Sequence, residues 1–269
     1  MKIPGFCVLL CLLCLFISPV TQSGALDDFE SDATKKRSSD SSSNTAHRTS
    51  SSKSDKDDDC DSITGCLLGA IFEGTFRFVL YVAAEGGRLS TDRMQPYPRR
   101  EGVIPRNKGD ILLPLFRFDT HIQSASKGVI GKDLRAEFGN GPFAFQIRRS
   151  LYQESNPSDE MTLTQWHALY RMSLGNSINL NLGLGHSQLK GNAENSAVSF
   201  TFPLYVQASK RFSWEIKPSL SNFNGSGVWD FDMAGLLTEK NYSLMLGIRR
   251  LSSLAQSISG PYLGFSFHY

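Results

Sequence analysis

The sequence lacks two features, and each absence excludes a class of protein. No uninterrupted apolar run reaches the roughly 20 residues that a membrane-spanning helix needs, and the mean hydropathy is only −0.22. A helical membrane protein is therefore excluded, whereas a membrane β-barrel is not, because alternating strands dilute the hydropathy signal. An excess of one charge sign is also missing. The formal net charge is +2 and the basic residues are spread along the chain, so nothing indicates a nucleic-acid partner.

Residues 110–269 alternate between apolar and polar side chains, which is the period-two pattern of strands with two different faces. The last stretch shows this clearly, with Leu263, Phe265, Phe267 and Tyr269 on one face. We count about ten such segments, an even number in the range of bacterial membrane barrels, and eight strands remain the alternative. The pattern predicts an all-β fold: a closed antiparallel up-and-down membrane barrel, preceded by a disordered leader and a short helix.

The links between these segments predict two different rims. Four links are tight, and the Asn-Gly pair among them favours a type I′ turn; they are Asn140-Gly141, Gly175-Asn176, Ser209-Lys210 and Glu239-Lys240. Longer polar loops alternate with them: Gln153 to Glu160, Lys190 to Asn195 and Ser252 to Ser259. Asn224 to Ser226 and Ser124 to Gly128 are short exceptions. Short turns on one rim and longer loops on the other are typical of outer-membrane barrels.

The start of the chain predicts export. Met1 and Lys2 lead into an apolar run from Phe6 to Ile17, and small or polar residues follow. Residues 1–25 therefore have the composition of a secretory signal peptide, and cleavage after Ser23 or after Ala25 satisfies its small-residue rule.

Two segments separate this signal from the barrel. Residues 26–61 are rich in Ser, Asp and Lys, and they predict a disordered leader because they cannot bury enough apolar surface to offset the cost of ordering. Residues 62–109 combine an apolar segment, Ile63 to Ala84, with a basic linker that contains prolines. Glu73 and Arg77 disfavour a membrane anchor. We expect a short helix that lies against the membrane or the periplasmic mouth of the barrel.

Cysteine is scarce, with five in the chain. Three of them lie in the signal segment, where Leu13 precedes Cys14 and argues against lipid attachment. Cys60 and Cys66 remain, and in an oxidising compartment they are a candidate disulfide. No histidine lies near enough in sequence for a convincing zinc site, and we expect neither a metal nor a cofactor.

The chain resembles the bacterial outer-membrane β-barrel proteins over the signal segment and residues 110–269. The motif that carries the resemblance is the terminal Leu263-x-Phe265-x-Phe267-x-Tyr269. It is similar to the signal that the barrel-assembly machinery recognises in that superfamily. The resemblance implies insertion into outer-membrane lipid with the help of this machinery. It also extends to small uncharacterised members with an acidic leader, and these imply no activity.

Charged residues of both signs share the polar face of the predicted strands. They are Arg117, Asp119, His121, Asp133, Arg135, Glu137, Arg148, Arg171, Glu215, Lys217 and Arg249. The interior of a barrel of about ten strands is barely wider than the side chains that fill it. We therefore expect a packed network of ion pairs and a structural or binding protein, with no open pore, no enzymatic activity and recognition through the longer loops.

Two other function classes stay open. A hydrolase needs a nucleophile and a base, but adjacent strand residues such as His186 and Ser187 point to opposite faces; Asp119 and His121 share a face, as does His167, and no catalytic residue is assigned. A soluble exported barrel that binds an apolar ligand would reverse the faces. In that case the apolar rows, represented by Phe200, Trp214, Leu244 and Phe265, would point inwards.

Overall fold

A computed structural model describes residues 24–34, 77, 80–94, 113–155 and 158–269. Two helices precede the sheet: α1 spans Ala25–Thr34 and α2 spans residues 80–92. The strands are β1 Phe116–Ser124, β2 Val129–Asn140, β3 Phe143–Ser155, β4 Ser158–Leu174, β5 Ile178–Lys190, β6 Glu194–Thr201, β7 Leu204–Gln207, β8 Phe212–Phe223, β9 Ser226–Glu239, β10 Tyr242–Ser252 and β11 Ser257–His268. A single turn of 3-10 helix, Ser126–Gly128, joins β1 to β2.

All strands belong to one closed antiparallel sheet. Apart from β6 and β7, each strand pairs with the next in sequence, and β11 pairs with β1 to close the barrel. β6 and β7 occupy a single place between β5 and β8. Pro203 lies in the interruption between them, where its missing N–H cannot serve the ladder. The barrel thus has ten strand positions, which confirms the predicted closed antiparallel barrel of about ten strands and excludes the eight-strand alternative.

The apolar rows point outwards. Phe200, Leu244 and Phe265 are each more than 40% exposed, whereas the polar residues that alternate with them, such as Ser199 and Ser243, are buried in the interior. Trp214 faces the same way as these residues and is partly exposed. The inverted barrel with an apolar interior is therefore wrong for this chain.

The two rims do not differ in link length as the sequence predicted. The strands continue through most of the three expected loops: β3 ends at Ser155 and β4 begins at Ser158, and pairing reaches Gln153 with Glu160. The other links are as short on this rim, for example 191–193, as on the opposite one, for example 240–241. The prediction of long loops was wrong because the polar ends of these strands still pair with each other.

The hairpin turn with two positive φ angles is not at the link where the sequence predicted it. Asn140 is paired with Phe143, so the β2–β3 turn is Gly141-Pro142, with a φ of +58° at Gly141. A pair of positive φ angles, as a type I′ turn requires, occurs at Asn224 and Gly225, with values of +51° and +91°. An Asn-Gly pair does form a hairpin turn in this barrel, but it is the pair at the β8–β9 link. The prediction that Asn140-Gly141 forms such a turn was wrong.

The helices change the predicted organisation of the N-terminal third. Residues 25–34 form an ordered, packed helix, although the sequence assigned 26–61 to a disordered leader. Residues 86–92, expected as linker, belong to α2. The signal segment up to residue 23, the leader from residue 35, most of the apolar segment 62–79, and Cys60 and Cys66 lie outside the described residues. No helix among those described is both long and apolar enough to cross a membrane.

Candidate functional site

The barrel interior holds a continuous cluster of charges, which we call the ion-pair network. It contains five basic and five acidic side chains, each at a position where strand alternation points it inwards. Its members are Arg117, Asp119, Asp133, Arg135, Arg148, Glu215, Lys217, Asp230, Asp232 and Arg249. Equal numbers of the two signs allow mutual neutralisation in a place where unpaired charge is costly.

The network connects strands that are not neighbours in the sheet. Arg117 on β1 donates to Glu215 on β8 with N–O distances of 3.0 and 2.6 Å. Arg148 on β3 donates to Asp232 on β9 at 2.9 Å. These bonds run across the lumen, so they brace one wall against the other.

Arg249 on β10 makes the densest set of contacts. Its guanidinium donates to both oxygens of Asp230, at 2.8 and 2.6 Å, and to Asp133 on β2 at 2.7 Å. Ser150 accepts a further bond from it at 2.9 Å. With the side chain 1% exposed, this cation bridges two buried carboxylates, and Arg148 supplies a second positive charge to Asp133 at 2.9 Å.

Lys217 joins the two ends of the network. Its Nζ lies 3.4 Å from Glu215 and 3.3 Å from Asp232. On the carboxylate of Asp232, the Tyr262 hydroxyl adds a donated bond of 2.6 Å. The charges therefore form one connected unit rather than isolated pairs.

The structure brings together eight of the eleven charged residues that the sequence selected. His121 lies at the edge of the network: its Nδ1 is 3.8 Å from Asp133 and its ring stacks on Tyr262 at 4.1 Å. It does not pair with Asp119, which is bonded to Arg117 and Arg135.

The other two selected residues form a separate pair at one end of the barrel. Arg171 Nη1 lies 3.7 Å from Glu137 Oε1. Two network members were missed, Asp230 and Asp232. The alternation of β9 already placed both on the polar face opposite Trp229 and Phe231, so the signal was present in the sequence.

A second interior cluster is uncharged and lies on the wall of β4 to β8. We call it the serine cluster. Its hydroxyls are those of Ser187, Ser199, Ser219 and Ser221, joined by Gln165 and His167.

His167 and Ser199 are the nearest arrangement to a base and a nucleophile. Their Nε2 and Oγ atoms are 2.9 Å apart. The Nδ1 atom of His167 has no hydrogen-bond partner among the described residues, so no carboxylate orients this ring. Both side chains are buried, and a substrate could reach them only if the barrel opened. His186 is exposed and Ser187 buried, so that pair points to opposite faces.

Helix α1 closes one end of the barrel, which we call the α1 mouth. Leu26, Phe29 and Ala33 occupy successive turns of the helix and enter an apolar cluster formed by the strand ends. The cluster includes Val129, Met161, Leu163, Leu189, Phe223, Leu251 and Ile258. Phe29 and Ala33 are fully buried. An apolar seal of this kind excludes water from this end of the barrel.

Carboxylates fix α1 in place. Glu30 accepts bonds of 2.8 Å from the backbone N–H groups of both Asn192 and Ala193. Asp32 accepts a bond of 2.7 Å from the N–H of Ala255. At the start of the helix, the carboxylate belongs to the barrel and the donors belong to the helix segment. Glu154 of β3 accepts bonds of 3.2 Å from the backbone N–H groups of Gly24 and Leu26. The helix N-terminus thus meets a negative charge, as its dipole favours.

Helix α2 lies at the opposite end, the α2 mouth, where both barrel termini also lie. Ser90 is fully buried and donates to the carbonyl of Arg171 at 2.8 Å, and it lies 3.0 Å from the hydroxyl of Ser173. The Tyr170 hydroxyl donates to the carbonyl of Ala83 at 3.0 Å. This seal is polar, in contrast to that of α1. The sequence had placed a helix at a barrel mouth, but further towards the N-terminus.

A cavity of about 70 Å³ remains between α2 and the network. No group of histidine, cysteine and acidic side chains in the described part of the chain has the arrangement of a metal site.

Comparison with known proteins adds little to this geometry. No protein-family model matches the chain, and no curated protein matches it. Among solved structures the chain is similar to "KdgM porin in complex with disordered oligogalacturonate", with a TM-score of 0.32 and 8% identity. This match covers 57% of the chain and 99% of that protein. A similarity this weak carries no functional conclusion, so we infer function from the geometry of the chain itself.

Proposed function

We propose that this chain is an integral outer-membrane β-barrel protein of structural or binding type, whose interior does not conduct solutes. Outer-membrane lipid and, during biogenesis, the barrel-assembly machinery are its proposed partners. The observation that carries the proposal is the outward belt of large apolar side chains together with an interior filled by charged and polar side chains.

The belt covers nine of the eleven strands, and the partly exposed Phe212 and Trp214 continue it on β8. It contains an exposed large apolar side chain on β1 to β6 and on β9 to β11, represented by Phe118, Phe138, Phe145, Trp166, Leu184, Phe200, Trp229, Leu244 and Leu263. Soluble proteins rarely expose a continuous apolar surface of this extent. Contact with lipid removes the free-energy cost of exposing this surface to water. Strands with apolar side chains outside and polar side chains inside are the rule for membrane barrels.

The closed interior supports the second half of the proposal. The ion-pair network crosses the lumen, and a helix packs at each mouth. A conducting pore would require these ion pairs to separate, which leaves buried charges unpaired at a cost of several kcal/mol.

A polar surface beyond the belt is the place for binding. On β4 the outward row changes from Trp166 to Thr164, Thr162 and Glu160, and the neighbouring strands contribute Arg149 and Lys190. Together these side chains line an outward groove. Since the links are short, recognition would use this strand surface in place of loops. The aromatic row of β11 stays a proposed assembly signal, with Leu263 and Phe265 exposed.

The experiment places one arginine in the belt and one outside it, on the same face of β5. Leu182→Arg puts a charge in the row Ile178 to Leu184, whereas Gln188→Arg puts it in the polar groove. For a membrane barrel, an arginine near the bilayer midplane costs about 2–4 kcal/mol and one near the interface costs about 0–1. We expect Leu182→Arg to lower the amount of heat-modifiable, carbonate-resistant protein in the outer membrane and Gln188→Arg to leave it unchanged.

Two outcomes would count against the proposal. Release of the unmodified protein by sodium carbonate contradicts membrane integration. Steady single-channel conductance of the purified protein in a planar bilayer contradicts the closed interior.

A further inference from the structure

The cavity between α2 and the ion-pair network has an unusual lining. Four arginines border it, Arg93, Arg117, Arg135 and Arg171, but only two carboxylates, Glu137 and Glu215. Hydroxyl and amide groups, His268 and a few apolar side chains complete the wall. Its volume of about 70 Å³ accommodates several water-sized groups, which is the size range of a small inorganic ion.

Arg171 is poorly compensated for a buried cation. Its side chain is 1% exposed, and its Nε and Nη1 atoms donate to the neutral carbonyls of Gly141 and Pro114, at 3.2 and 2.9 Å. The Nη2 atom has no hydrogen-bond partner among the described residues. The nearest carboxylate oxygen, on Glu137, is 3.7 Å from Nη1, beyond hydrogen-bond range.

A second orphaned group lines the same cavity. Ser266 is completely buried on β11, and its Oγ has no hydrogen-bond partner in the described part of the chain. Buried donors without partners are rare and costly. The strand register places Ser266 level with Asp119 and Arg135, four residues along the strand from Gly139, where the Arg171 guanidinium lies. At about 3.3 Å per residue the two groups stand at different ends of the cavity, so the unpaired Nη2 of Arg171 is the group that a ligand at the α2 mouth would complete. A guanidinium has donors only, and it therefore selects an acceptor that carries negative charge.

The backbone of β2 leaves room for the guanidinium of Arg171. A Cβ atom on Gly139 of β2 would overlap the guanidinium of Arg171, so the absence of a side chain there is what lets Arg171 lie across the strand. From the other side, α2 brings Arg93, whose Nη1 donates to Ser173 at 3.3 Å.

We propose that this cavity binds a small inorganic oxyanion of the phosphate or sulfate type, held by Arg171 on the barrel and by Arg93 on α2. The bound anion links the helix to the barrel at the α2 mouth. Guanidinium groups match the geometry of oxyanions through parallel N–H···O bonds. The site does not require membrane insertion, so its test is independent of the proposed function.

The test uses the full-length chain folded in detergent and follows thermal unfolding while inorganic phosphate replaces chloride at constant ionic strength. We expect a saturable rise in the unfolding temperature, because a ligand that binds only the folded state stabilises it by mass action. Calorimetric titration with phosphate gives the affinity directly.

Variants locate the site. Arg171→Gln removes the central cation, and Arg93→Gln provides an alternative if that variant does not fold. We expect Arg93→Gln to weaken phosphate binding at least tenfold. Arg88→Gln is the matched control, because Arg88 lies on the exposed side of the same helix and pairs with Glu85 at 2.6 Å; its affinity should equal that of the unmodified chain.

Two results overturn the proposal. The absence of a saturable response in the unmodified chain shows that the cavity holds water alone. Equal phosphate affinity in Arg93→Gln and the unmodified chain shows that the anion binds elsewhere.

Discussion

The ion-pair network and the serine cluster fill the same barrel by opposite means. In the network, long charged side chains on β1 to β3 meet partners on β8 to β10 across the lumen. In the serine cluster, short hydroxyl side chains on β5, β6 and β8 bond within one stretch of wall. The ion-pair network fills the lumen with long side chains that span it. At the serine cluster, short side chains let the strand backbones approach, so less lumen remains to be filled.

Glycines show how far the second strategy goes. An added Cβ on Gly183 would overlap side-chain atoms of Thr201 and Leu169, and one on Gly185 would overlap the backbone carbonyl of Trp166. Small residues let strands approach closely. The comparison therefore predicts that the network is sensitive to loss of charge and the serine cluster wall to gain of volume.

The largest effect is expected from Arg249→Met. The substitution removes the bidentate partner of Asp230 and leaves Asp133 with Arg148 as its remaining cation, and breaking a buried ion pair on one side costs about 3–5 kcal/mol. Urea unfolding of the refolded barrel in detergent, followed by heat-modifiable migration, measures the difference in the free energy of unfolding.

Arg250→Met is the control for this change. Arg250 is the next residue of β10 and points outwards, so its removal should cost far less than that of Arg249. Equal midpoints for the two variants would show that the network does not stabilise the barrel.

A smaller loss is expected from Gly185→Ala, which tests the opposite region. One methyl group must displace the backbone of β4, and overpacking costs about 1–3 kcal/mol. Gly227→Ala on β9 is the matched control, because its Cβ would meet only Leu220, at 3.8 Å. The same unfolding measurement applies, and a neutral Gly185→Ala would contradict the close approach of β4 and β5.

The sequence was sufficient to predict which side chains point inwards. Alternation assigned Arg148, Lys217 and Arg249 to the polar face, and it also marked Asp230 and Asp232. It could not predict which of them would pair, because Arg249 and Asp133 lie on strands separated by more than 110 residues. Their contact depends on where the barrel closes and on its register, which no local pattern encodes.

Helix α1 was not predicted from the sequence, for a different reason. Its ten residues carry four acidic side chains and little apolar surface, so composition alone indicated disorder. The spacing of Leu26, Phe29 and Ala33 does place one apolar stripe on a helix. That stripe is too narrow to predict a stable helix by itself, since the strand ends of the barrel supply the rest of its core.

The smallest effect is expected from Ser199→Ala in the serine cluster. The substitution removes the hydroxyl that meets His167 at 2.9 Å and Ser221 at 3.0 Å. The net contribution of a neutral hydrogen bond is about 1 kcal/mol, and no charge is left unpaired. Ser196→Ala is the matched control, because Ser196 lies on the outward face of the same strand. It should change the free energy of unfolding by much less. A loss for Ser199→Ala as large as that for Arg249→Met would contradict the distinction between the two regions, because it would mean that hydroxyl contacts within one wall stabilise the barrel as strongly as charges that cross it.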